Sequence, residues 1–222
     1  MGKDMLFYCR GTVEKYIFSK LFDSLFAMYA HKNEADDDLF SQRSLRIKQM
    51  KPSKVMEYLG INSKFIISIK GSSRWRTSTV TESEASIDGN LDSARSQSND
   101  DRSRIPYIEA IREIEKIQTL ESPGEMVNCL SASFEKLKTT VVDHHKGKLE
   151  LSAMDDVLPL SIYTVSMANL HSPASHQQMM ADYLRCNQRG YELERKLLCN
   201  FDGAIRYVCN DWELDDEDSG TK

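Results

Sequence analysis

The sequence predicts an all-α fold, layered antiparallel helices with one disordered serine-rich insertion, and three observations carry that expectation. Apolar residues recur at helical spacing through most of the chain, helix-start and helix-stop residues bracket those runs, and only residues 71–104 break the pattern. At 222 residues and 40% hydrophobic content there is enough chain for one sizeable core. The expected organisation is an N-terminal segment over 1–11, one domain over 12–209 and an acidic disordered tail over 210–222.

Each element has its own local reason. Gly11 sets the first residues apart, and Thr12 is a plausible N-cap for a helix whose Val13, Ile17, Leu21 and Leu25 recur beside Phe18, Phe22 and Phe26. Such a helix should bury a wide face. Asn33 to Asp38 reads as a polar break, Leu39 to Gln49 as a weaker helix with Phe40, Leu45 and Ile47, and Ser53 as the cap of a short helix that Gly60 ends. Phe65-Ile66-Ile67-Ser68-Ile69 is β-branched enough for a strand or a buried extended segment. Residues 71–104 hold nine serines and few apolar side chains, too few to offset the entropy of ordering.

Order resumes at Pro106, which suits a first helical turn, with Tyr107, Ile111, Ile114 and Ile117 following at helical spacing. Ser122-Pro123-Gly124-Glu125 combines a cap, a first-turn proline and a capping-box acid; the stripe Val127, Leu130, Phe134, Leu137 and Val141 follows, and His144-His145-Lys146-Gly147 stops it. Met179, Met180, Tyr183 and Leu184 mark a shorter helix. Gly190 precedes a last one with Leu193, Leu197, Phe201, Ile205 and Val208 facing inward, and Asp211 to Asp218 should fray around Trp212.

Several function classes lack support. A net charge of −5 argues against nucleic-acid binding, which needs clustered Lys and Arg. No apolar run reaches the roughly 18 to 20 residues a spanning helix needs, so the expected location is cytoplasmic, with membranes reached only through partners. The five cysteines show no Cys-x-x-Cys spacing and read as buried thiols, and His144-His145 has no ligand partner at metal spacing. No metal, no cofactor and no phosphate-cradling or hydrolase motif is expected.

One stretch stands out, Ser152 to Val165. Ser152 with Asp155 reads as a capping box, Asp155 and Asp156 place anionic charge in a first helical turn, and Pro159 removes the N–H that the Asp155 carbonyl would otherwise accept. Asp-Asp-Val-Leu-Pro followed by an apolar run and Ala168-Asn169 resembles the signature helix of the vacuolar protein sorting 9 domain. Further matches fall in order: Thr12 to Phe22 resembles the opening helix, Ile105 to Ile111 a later one, Ser122 to Cys129 the entry to the helix before the signature, and Gly190-Tyr191 the glycine-tyrosine of the last functional helix.

The resemblance implies a guanine-nucleotide exchange factor for Rab GTPases of the Rab-5 subfamily, working peripherally on early endosomes in endocytic traffic. It implies Asp155 as a finger reaching toward the nucleotide site, with Asp156, Pro159, Tyr191 and Glu194 in the groove that takes the GTPase. The chain departs from the family pattern at Glu194, where a threonine is usual, at Glu192, and at Asn169 to Pro173, which replaces a proline pair. These departures leave open a non-catalytic Rab-binding or scaffold module with a degenerate groove.

Overall fold

A computed structural model of the protein describes residues 2–67, 105–187 and 190–212. Eight α-helices and no strand occur among them: α1 (Gly2–Lys32), α2 (Glu34–Gln49), α3 (Pro52–Tyr58), α4 (Ile108–Glu115), α5 (Pro123–His144), α6 (Met154–Met167), α7 (Pro173–Cys186) and α8 (Glu192–Arg206). The all-α expectation holds. The serine-rich segment 71–104 and most of the tail lie outside the described residues.

Antiparallel pairs build the layers. Ser133 and Cys129 of α5 donate to the carbonyls of Ala110 and Glu113 of α4, so the two helices run in opposite directions. Phe26 of α1 packs on His176 near the start of α7, with ring centroids 4.5 Å apart, and Phe18 meets Tyr183 near its end. Arg195 of α8 donates to the carbonyls of Leu184 and Asn187, so the start of α8 lies beside the end of α7. Phe40, Met56, Phe65, Ile111, Met126, Leu160 and Phe201 fill the space between. Each such side chain contributes about 1.5–3 kcal/mol by leaving water.

The structure revises several local readings. α1 begins at Gly2 and runs straight through Gly11 and Thr12, so neither residue marks a boundary. Its buried face is aromatic, Phe18, Phe22, Phe26 and Tyr29 against α7, whereas Val13, Ile17 and Leu21 stay 47–53% exposed because nothing among the described residues covers the opposite side. The break before α2 is Asn33 alone. Pro52, not Ser53, opens α3, and Gly60 follows it at φ +64°, as a helix stop requires. In the expected strand, Ser63–Phe65 forms a 3₁₀ turn and Ile67 is buried, while Ser68 and Ile69 fall outside the described residues. Pro106 precedes α4, whose N-cap Tyr107 takes φ +59° and donates from its hydroxyl to the Phe65 carbonyl at 2.7 Å, tying the two sides of residues 68–104 together.

At the other end, Leu193 and Leu45 are 52% and 62% exposed, against the expectation for Leu193 of an inward-facing position. Asn210 and Asp211 belong to a π-helical turn that closes α8, and Trp212 is buried, its ring stacked 4.7 Å from Tyr58. Arg43 holds that turn by donating to the carbonyls of Val208 and Trp212. Cys129 and Cys209 are buried as expected, but Cys186 and Cys199 are exposed.

Candidate functional site

α6 is deeply buried at one end and exposed at the other. From Leu160 to Met167 every residue but Ser161 is buried, which suits the continuous apolar sequence there. The first turn is different: Met154 is 56% exposed, Leu158 is 40% exposed, Asp155 is open to solvent, and Asp156 and Pro159 are half-covered. The helix leaves the core only at its N-terminal tip. At 14 residues it is about 21 Å long, so tip and buried end are well separated.

Its start is set by backbone instead of by a capping side chain. Ala153 is the N-cap, its carbonyl accepting from the N–H groups of Asp156 and Val157 at 3.1 and 3.0 Å, and no side chain caps the turn. The capping box expected from Ser152 and Asp155 is not formed. The Asp155 carboxylate is therefore not engaged by its own helix, and it has no hydrogen-bond or ion-pair partner among the described residues. Helix continues through Pro159 to Met167, the proline withholding a donor from the Asp155 carbonyl.

α6 packs on α8. A methyl group placed at Gly203 would lie 3.8 Å from Leu158 Cδ1, and Ser161, Thr164 and Val165 share a crevice with Leu197, Asn200 and Phe201. The crevice, at about 30 Å³, is too small for a metabolite-sized ligand, whose pockets run to hundreds of Å³. What this pair of helices can offer is a surface. Its exposed apolar members are Met154, Leu158 and Leu193; the first two gave no signal in the sequence beyond helical spacing, because spacing alone does not say which turn of a helix clears the core.

Tyr191 stands at the N-cap of α8, after Gly190 at φ +85°. Its ring meets Tyr183 edge-on at 6.2 Å, and Tyr183 donates to Glu14 at 3.1 Å. The cavity it lines, about 440 Å³, is formed with α1, α5 and α7, and α6 takes no part. Leu158 sits over Gly203, about 18 Å along α8 from Tyr191. Asp155 and Tyr191 thus mark different stations on one helix pair. Glu194 is half-buried in the first turn of α8 and has no ion-pair partner among the described residues.

Among the described residues no group of three His, Cys, Asp or Glu side chains could hold a metal ion, and no helix is long and apolar enough to cross a membrane.

The class the geometry defines is an all-α domain of layered helices that presents one nearly buried helix by its acidic tip. Residues 107–212, from the head of α4 to Trp212, match the Vacuolar sorting protein 9 (VPS9) domain, so that stretch of the chain is similar to that family. VPS9 domains act in guanine-nucleotide exchange on Rab GTPases. Among individual proteins the chain is similar to Alsin of Mus musculus, 21% identical over 198 residues, and to Alsin of Homo sapiens, 21% identical over 187. These matches cover 86% and 81% of this chain but 11% and 10% of the relatives, so the chain spans about a tenth of their length.

Proposed function

We propose that the protein promotes GDP release from Rab GTPases of the Rab-5 subfamily by inserting the Asp155 carboxylate into the nucleotide site, in endocytic traffic at early endosomes. The observation that carries this reading is the exposed tip of α6, with an aspartate that no described residue engages.

A Rab GTPase holds its nucleotide by a P-loop lysine, backbone N–H groups and magnesium, all attracted to phosphate charge. A carboxylate brought into that site pairs with the lysine and competes with the β-phosphate, and charge-assisted bonds of this kind are among the stronger ones available. The N-terminal end of α6 favours negative charge and holds Asp155 on a short, stiff stem. Met154 and Leu158 flank it with apolar surface for the switch regions, and Pro159 shapes the turn. Asp156 points about 100° round the helix, so it orients the tip. A standard protein interface covers roughly 800 Å² per partner, enough to reach from the tip along α8 to Tyr191 and Glu194. Tighter binding to the emptied GTPase is the thermodynamic counterpart of faster release, and incoming nucleotide displaces the complex.

A second reading, a Rab-binding module without exchange activity, draws its support from Glu194, an added negative charge on the same helix pair that would repel switch-region acids. A panel of purified Rab GTPases, assayed for release of a fluorescent GDP analogue and for binding when nucleotide-free, separates the two. Release on Rab-5-type members that Asp155→Ala abolishes supports exchange, while binding without release assigns the scaffold role.

A further inference from the structure

Between Leu39 and Met56 the sequence holds Arg43, Arg46, Lys48, Lys51 and Lys54 and not one acid, in a chain whose net charge is −5. Two of these cations are engaged. Arg43 donates to the Val208 and Trp212 carbonyls, and Lys48 to Asn169 at 3.0 Å. Arg46, Lys51 and Lys54 are exposed and have no ion-pair partner among the described residues. The C-terminal end of α2 accounts for Arg46, since cations are favoured there. It does not account for Lys51 and Lys54, which follow at the head of α3, where no acid is present in the first turn. In the same stretch Leu45, on α2, is 62% exposed.

We propose that this α2–α3 corner is a docking surface for an anionic lipid bilayer, held electrostatically by Arg46, Lys51 and Lys54 and anchored by Leu45. Exposed cations in one stretch with a protruding apolar side chain match the two things a charged membrane surface offers, negative headgroups and an apolar layer beneath them. An acidic protein would match the charge but leave Leu45 without a reason. The corner also lies away from the acidic tip: Ser44 donates to the Ser166 carbonyl and Lys48 to Asn169, at the buried end of α6, about 17 Å along the helix from Asp155. Docking there leaves the tip uncovered. A direct membrane contact goes beyond recruitment through partners alone, and it does not depend on the exchange reading.

The test is sedimentation of the full chain with vesicles of phosphatidylcholine, alone or mixed with phosphatidylserine. The wild type should bind the mixed vesicles in a salt-sensitive way. Neutralising all three cations together (R46Q, K51Q, K54Q) should weaken binding about 100-fold, and Leu45→Gln about tenfold. All variants should melt like the wild type and keep wild-type GDP release in solution without vesicles. Equal binding by the triple variant, equal binding to phosphatidylcholine alone, or no vesicle binding by the wild type would overturn the proposal. Retention on a polyglutamate column in place of vesicles would reassign the corner to an acidic protein. Loss of release in solution would place it within the GTPase footprint, and either result overturns the membrane role.

Discussion

Two aspartates at helix starts, Asp37 and Asp155, show how the same side chain is given opposite employment by its surroundings. Asp37, in the first turn of α2, is buried and accepts from the Ala174 N–H at 2.8 Å and from the Ser175 hydroxyl, binding α2 to the head of α7. Asp155, in the first turn of α6, is exposed and accepts from nothing among the described residues beyond its own helix backbone. Burial raises the Asp37 pKa above the ordinary carboxylate range despite those hydrogen bonds. The acid that serves the fold is covered and bonded; the other is left open on a rigid stem.

That contrast can be broken at either end. The largest expected effect on stability is from Trp212→Ala, which empties a buried site against Tyr58 and should cost about 3–5 kcal/mol, read as a drop in denaturation midpoint. Asp37→Ala comes next: it strands the Ala174 N–H and Ser175 hydroxyl and should cost about 1–3 kcal/mol. Asp155→Ala should change stability by no more than about 0.5 kcal/mol, as for surface positions generally. A midpoint for Asp155→Ala as low as that for Asp37→Ala would mean the tip is structural after all.

Smaller effects sharpen the comparison through pH. Asp37 has its folded-state pKa raised, so it binds its proton more readily when folded; its contribution is fully present below the unfolded value near 4 and is lost as pH rises through the folded value. Asp37→Asn should therefore gain on the wild type as pH goes from about 4 to 7. His176 behaves in the opposite sense. Buried against Phe26, its pKa is lowered, so its contribution is present above about 6.5 and lost as pH falls through the folded value. Denaturation midpoints of His176→Phe should fall less than those of the wild type between pH 7 and 5.

Most of the fold was legible because helical periodicity and helix stops are local. Gly60, Gly147 and Gly190 all take positive φ where a stop or a start was read. What was not legible depends on which helices lie alongside which. Val13, Ile17 and Leu21 are as apolar as any core row, but only the aromatic side of α1 has α7 beside it. Trp212 sits among acids and looks like tail, yet Tyr58 and Arg43, distant in sequence, make a place for it. In the candidate site the motif around Asp155 was visible, and its exposure follows from the turn at which α6 clears the core. Ser152 looked like the cap, but Ala153 takes that position through backbone bonds alone. Tyr191 shares a helix pair with the tip without touching it, a separation that residue spacing within either helix could not reveal.

The central claim is that the charge of Asp155, and not merely its bulk, drives nucleotide release. Asp155→Asn keeps the shape and removes the charge, and Asp156→Asn does the same one residue on. With a Rab-5-type GTPase loaded with fluorescent GDP, and with both variants melting as the wild type does, Asp155→Asn should lose nearly all stimulated release while Asp156→Asn keeps most of it. Wild-type release by Asp155→Asn would contradict the account.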